Sequence, residues 1–286
     1  MKNIAIIVKP HTENIKSITE KLINILKHHG KSILLEERTA KVLSESCFSS
    51  DEEIKSIADL LIVLGGDGTL ISAVRILGDK NTPVMGINLG RLGFLTDTKL
   101  SEFEEKLKQI FTGNYKIEKR MKLHVNVLKN GERSFETEVL NDVVINKGAL
   151  ARIVDIDVFV GDVFMNRYRA DGIIVATPTG STAYTLAAGG PIVFPTLNSI
   201  IVTPICPHSL SHRPIVLNEN SVIKLKISNL EDKVFLTCDG QTGKKLEPGE
   251  EVFVKKSISS ANLIVSEGYN YFSLLKEKLG WGATNA

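Results

Sequence analysis

Apolar positions follow two different rhythms along the chain. Up to about residue 113, short apolar runs alternate with stripes at helical spacing. The run "NIAIIV" predicts a strand, and Ile15, Ile18, Leu22, Ile25 and Leu26 mark one face of a helix that stops at Gly30. "ADLLIVL" predicts a buried strand, followed by a helix with Leu70, Val74 and Leu77 inward and an end near Gly78. "TPVMGIN" is the next strand, and Ser101 with Glu104 predicts a capping box for a helix carrying Phe103, Leu107, Ile110 and Phe111, with Gly113 past its end. Repeated units of this kind build a parallel sheet covered on both faces.

Beyond residue 113 the helical stripes give way to alternation. "KLHVNVLKNGE" predicts a hairpin turning at Asn130-Gly131, "DIDVFVGDVFM" one at Gly161-Asp162, and "VIKLKI" and "EEVFVKK" alternate in and out. The tail "YFSLLKEKLGW" is helical again, with Leu274, Leu275 and Leu279 on one face. The expected fold is an α/β N-terminal domain with a Rossmann-like parallel sheet, joined to a mainly antiparallel β C-terminal domain. The boundaries are set at 1–115 and 116–267, with 268–286 returning as a helix to the first domain.

Composition narrows the partners. The 286 residues are 43% hydrophobic and 24% charged, with a net charge of +2 and both signs interspersed. That leaves no basic stripe for nucleic acid and no polybasic tract for a membrane surface, so a phosphate-bearing ligand should be small. The opening "MKNIAIIVKP" is too short for a signal sequence, and no apolar run reaches the length of a membrane span. Cys47, Cys206 and Cys238 are odd in number and lack metal spacing, which fits free thiols in a cytoplasmic protein.

The stretch "GGDGT", residues 65 to 69, follows a buried strand and opens a helix, which puts it where open α/β sheets bind ligands. Its glycines admit a phosphate and the helix start supplies N–H groups. Asp67 would repel that phosphate unless a divalent cation or an incoming hydroxyl lay between them. Two readings fit: phosphoryl transfer with Asp67 as proton acceptor or metal holder, or a Gly-Asp-Gly turn with Thr69 as helix cap. Ile71 stands where a dinucleotide fingerprint needs its third glycine, and no Gly-Lys-Ser or Gly-Lys-Thr occurs.

"RADGIIVATPTGSTAYTLAAGGP", residues 169 to 191, concentrates hydroxyls (Thr179, Ser181, Thr182, Tyr184) in a turn after a strand, with Asp171 just upstream. "VLNDVVINKG" sets Asn141 and Asp142 in an apolar strand, where a buried acid and amide need partners. His208 and His212 lie four apart between Pro207 and Pro214, a setting that favours loop residues over a metal pair, and no metal ligands are assigned.

With "GINLGRLGFLTD" at 86 to 97, "LNDVVI" at 140 to 145 and "DGQ" at 239 to 241, these motifs closely resemble the NAD kinase family in order and spacing. The resemblance implies transfer of the γ-phosphoryl of ATP, or of polyphosphate in some members, to the 2′-hydroxyl of the adenosine ribose of NAD, with Mg²⁺ or Mn²⁺. It makes Asp67 the proton acceptor, brings the dinucleotide close to Gly68, and gives its ribose hydroxyls and phosphates to Asn141 and Asp142. Asp171, Thr182, Ala183, Tyr184, Thr185 and Ala187 would surround its nicotinamide and adenine ends. Arg152, Arg169 and Gln241 match further contacts, some crossing a subunit boundary in a homodimer or homotetramer built through the β domain. Alternatives are a related lipid or sugar kinase and a non-catalytic NAD(P) sensor; the first wants an apolar acceptor cleft, and the second has no need of Asp67. Residues 36–53 carry no family motif and are expected to form a variable loop.

Overall fold

The computed structural model describes residues 1–90, 92–148, 153–228, 233–266 and 268–281. The chain divides into two compact units. The first comprises Met1–Leu77, Thr82–Glu118 and Asn262–Ala286. Its strands β1 (Asn3–Val8), β2 (Ser32–Leu35), β3 (Leu60–Leu64) and β4 (Pro83–Asn88) lie in the order β2-β1-β3-β4, all parallel. Asn262 and Leu263 of the returning chain pair in parallel with Pro83 and Val84, and the short β5 (Thr98–Lys99) pairs with the end of β4.

Every residue of β3 is buried, as a central parallel strand requires. Ile4, Ile6 and Val8 pack against Leu22 and Leu26 of α1 (Ile15–His28) and Leu107 and Ile110 of α5 (Phe103–Phe111). The opposite face takes α4 (Asp67–Leu77). There Gly86 makes room for α4, because a Cβ at that position would lie 2.9 Å from Leu70 Cδ1. The tail forms α7 (Tyr271–Leu279), capped by the Asn270 side chain on the N–H groups of Phe272 and Ser273.

Two expectations change. The Ser101–Glu104 capping box does not form: α5 starts after Glu102, which has helical dihedrals and no side-chain cap, and whose N–H already closes a turn onto Lys99 O. Residues 36–53 are no loop but contain α2 (Glu37–Leu43) and the start of α3 (Asp51–Ile57), each capped from its own N-cap side chain. These seven-residue helices bury only Thr39, Ala40 and Ile54, too few positions to leave a periodic stripe.

The second unit, Gly78–Asn81 and Lys119–Ala261, is a β-sandwich. One sheet joins β10 (Val163–Ala170), β9 (Val154–Val160), β14 (Ile223–Ile227) and β17 (Glu250–Val265). The hairpin of β6 (Lys116–Lys129) and β7 (Glu132–Val139) pairs with it through β6. The facing sheet is antiparallel in the order β13-β12-β11-β8-β15-β16, from Ile215–Asn218, Ser199–Ile205, Gly172–Ala176, Asp142–Lys147, Val234–Cys238 and Thr242–Lys245. Between them lie Leu123, Val125, Ile145, Ile156, Val175 and Val252, the inward positions of alternating strands. The outer face of the second sheet buries Val144, Ile174 and Ile201 with Val193. Asn130 (φ 53°) and Gly131 (φ 84°) make the expected two-residue turn. Asn141 and Asp142 do not interrupt a strand interior: β8 begins at Asp142, and Asn141 belongs to the turn ahead of it.

Candidate active site

In the first unit, Gly65 and Gly66 carry the chain from the end of β3 into α4, whose first residue is Asp67. Thr69 is therefore inside the first helical turn and not its cap; its N–H donates to Gly66 O at 3.0 Å. The half-buried Asp67 carboxylate is clamped by three consecutive backbone groups from the loop after β4. Phe94 N donates to Oδ2 at 2.8 Å, while Leu95 N and Thr96 N donate to Oδ1 at 3.0 and 3.1 Å. Thr96 Oγ1 donates to Oδ1 at 3.1 Å and accepts from Asn88 Nδ2 at 2.8 Å, so the amide directs the hydroxyl proton toward Asp67.

The clamp closes only because residue 93 is glycine: a Cβ there would stand 1.9 Å from Asp67 Oδ1. The returning chain braces the loop from behind. Phe94 lies 6.2 Å from the Tyr271 ring, and Asp97 accepts from Ser266 N at 2.5 Å, its carboxyl raised above the usual range by burial. Among the described residues three donors fall on Oδ1 and one on Oδ2, which leaves a lone pair of Oδ2 for an incoming group. Beside Gly68 opens a cavity of about 320 Å³ at the carboxyl ends of β3 and β1, whose cations are Lys9, Arg38 and Arg75. Gly68, Ser72 and Arg75 are one face of α4.

In the second unit, a set of turns gathers at one end of the β8, β11 and β15 strands. Asp142 pairs with Ala176, and Val143 with Cys238, so the chain beyond each strand meets the others. Asp239 (φ 52°) accepts from Leu140 N, Asn141 N and Asp142 N at 2.9, 2.7 and 3.2 Å. Thr177 donates to Leu140 O at 2.6 Å and accepts from Gly180 N at 3.0 Å. Gly180 is obligatory, since a Cβ would fall 2.1 Å from Asn141 O. Burial and then the Asp239 carboxylate push Asp142 up to about 7, against the Tyr184 N–H that it accepts. The result is a carboxyl poised near neutrality under the hydroxyl-rich turn at 179–184.

Family models of the ATP-NAD kinase N-terminal domain and C-terminal domain match residues 4–115 and 140–266. The chain belongs to the NAD kinase family. It is 43% identical to the NAD kinase of Geotalea daltonii and 45% identical to that of Geobacter sulfurreducens, each match covering 99% of both chains. The crystal structure of yeast NADH kinase complexed with NADH matches with a TM-score of 0.92 at 30% identity, over 100% of this chain and 89% of that one. An NAD kinase from Archaeoglobus fulgidus in complex with ATP matches with a TM-score of 0.76 at 26% identity, over 97% and 98%.

Of the residues that the NAD kinase pattern singles out, Asn141, Asp142, Thr182, Ala183, Tyr184 and Gln241 share that sheet end. Tyr184 is 43% exposed, whereas Thr185 is fully buried, packed under Gly190 with its hydroxyl unbonded among the described residues, and Ala187 is exposed on the short helix α6 (Tyr184–Ala187). Asp171 and Arg169 are elsewhere. Asp171 precedes β11 at its other end, roughly 17 Å away at the rise of an extended strand. There it pairs with Lys147 at 3.1 Å. Arg152 lies outside the described residues. His208 N donates to Arg169 O, and the His212 ring meets Tyr168 edge-on at 4.8 Å. Sequence reasoning missed the Gly93–Thr96 clamp and Asp239; glycine and acid in "GFLTD" and "DGQ" were their only signals.

Gly93→Ala should lower kcat by about a hundredfold, the scale of a 1 Å misplacement of a reacting group. Steady-state kinetics would show it, and an unchanged kcat would separate the clamp from catalysis. Asp142 has a raised carboxyl, so folding takes up a proton between the ordinary carboxylate range and pH 7; the associated stability is lost as pH rises through about 7. Asp142→Asn should therefore raise the melting temperature more at pH 8 than at pH 5. Equal shifts at both pH values would contradict this account of Asp142.

Proposed function

We propose that the chain transfers the γ-phosphoryl of ATP to the 2′-hydroxyl of the adenosine ribose of NAD, giving NADP. The observation that carries this reading is the single lone pair left on Asp67 Oδ2 within the clamp. A ribose hydroxyl is a weak acid, so the reaction needs an oriented acceptor for its proton as the phosphorus–oxygen bond forms. Asp67 takes that part, and Gly68 beside it lets the dinucleotide lie close. The donor phosphates occupy the cavity, with Lys9, Ser72 and Arg75 against the chain.

The reaction calls for a divalent cation, Mg²⁺ or Mn²⁺. Among the described residues no three His, Cys, Asp or Glu side chains gather as a metal cage. That donor set suits Mg²⁺, which commonly keeps its waters and binds through nucleotide phosphates with few protein carboxylates. Asp51 on the cavity wall is the acid available to that water shell, since the Oδ2 lone pair of Asp67 is given to the hydroxyl. When bound, the cation draws charge from the phosphates during transfer.

NAD lies against the second unit's sheet end, with ionised Asp142 accepting from ribose hydroxyls and the Asn141 amide donating to phosphate oxygens. Thr182, Ala183, Tyr184, Ala187 and Gln241 line the rest, and buried Thr185 supports them from below. Asp171 sits too far along β11 to join them directly, and Arg169 belongs to the preceding strand β10, which supports their serving a neighbouring protomer's dinucleotide in a homodimer or homotetramer. No described helix is long and apolar enough to cross a membrane, and we assign the enzyme to the cytoplasm.

Purified protein given ATP, Mg²⁺ and NAD should form NADP; absence of NADP would defeat the proposal. Tyr184→Ala should raise the KM for NAD about tenfold, within the range of a lost aromatic contact and its buried area, and leave that for ATP nearly unchanged. An equal rise in both would remove Tyr184 from the dinucleotide site.

A further inference from the structure

Residues 36–53 build one wall of the cavity beside the Gly-Gly-Asp-Gly loop through Glu36, Arg38 and Asp51. We propose that Glu36 binds the ribose of the phosphoryl donor, so that the cavity selects nucleoside triphosphates over inorganic polyphosphate and leaves the base unread. This rests on the cavity being the donor site, as argued above.

Glu36 is only 8% exposed. Its Oε2 is spent on the protein, accepting from Arg38 N at 3.0 Å, Thr39 N at 3.2 Å and Thr39 Oγ1 at 3.4 Å to cap α2. Its Oε1 makes no hydrogen bond among the described residues and faces Arg38 Nε at 3.9 Å. A cap needs one oxygen, and smaller polar side chains supply it more often. The second, charged oxygen stands on the cavity wall with only the loose Arg38 pairing, so it can accept from hydroxyl donors of a ligand.

The ligand must bring hydroxyl donors. A phosphate chain would be repelled by this carboxylate, while the 2′- and 3′-hydroxyls of a ribose can both donate to it. The strand order sets the distance. Glu36 follows β2, and Gly68 and Thr69 follow β3, with Lys9 at the end of β1 between them. Two strand spacings span roughly 10 Å, a gap that a triphosphate can bridge from the reacting phosphorus to the ribose. Among the described residues no aromatic side chain lines the cavity, so none of them offers a stacking face to the base.

The test compares wild type with Glu36→Gln, in which the side-chain oxygen that caps α2 is kept and the charge removed. Losing a charge-assisted hydrogen bond should raise the KM for ATP and for GTP about tenfold, while the KM for NAD and the inhibition constant of tripolyphosphate stay within about twofold. Calorimetry with unmodified protein supplies the second arm: 2′,3′-dideoxy-ATP should bind wild type about tenfold more weakly than ATP, and Glu36→Gln should show little difference between the two. The proposal is overturned if tripolyphosphate weakens in step with ATP, if ATP is unaffected, or if the wild type binds both nucleotides equally. Because binding is read without NAD, a protein that discriminates the ribose yet forms no NADP would defeat the proposed function and leave this inference standing.

Discussion

One carboxylate held by three successive peptide N–H groups organises the turn between β3 and α4 in the first unit. Each hydrogen bond to a charged group contributes on the order of 1.5–3 kcal/mol, so three of them hold Asp67 far more firmly than a side-chain rotamer preference could. The constraint spreads outward from there. It requires Gly93, whose Cβ would otherwise collide with Oδ1, and it uses Asn88 to set the Thr96 hydroxyl proton. It also gives the returning C-terminal segment a purpose, because Tyr271 and Ser266 hold the other side of the same loop. Folding energy fixes the carboxylate in advance, which is the preorganisation that the proposed role of Asp67 requires.

The second unit repeats the device with a different outcome. Asp239 also accepts from three consecutive N–H groups, and in doing so places a negative charge near the buried Asp142. One acid acts as scaffold and its neighbour is left near its titration point. A hydroxyl donor from a ligand would favour the ionised form of Asp142, so binding and deprotonation would be linked there.

Much of the architecture was legible because it depends on period. The buried run before "GGDGT" and the stripe Leu70, Val74, Leu77 gave β3 and α4, and Asn130-Gly131 and Gly161-Asp162 gave the hairpins. The glycines around Asp67 marked its place at the sheet edge. Its clamp was not legible, since backbone N–H groups have no residue signature and these lie 27 to 29 positions away in sequence. The same holds for Asp239, 97 to 99 positions from the turn it holds. Residues 36–53 failed for another reason: helices of seven residues with one or two buried positions show no stripe, although Glu36 and Ser50 were there as caps.

The most direct test of Asp67's role is a single-turnover measurement of NADP formation by wild type and Asp67→Asn, with ATP, Mg²⁺ and NAD all saturating. The amide has nearly the same shape but cannot take the hydroxyl proton, so the rate of the chemical step should fall by about two to four orders of magnitude. A variant that phosphorylates NAD at the wild-type rate would contradict the account, whatever its stability.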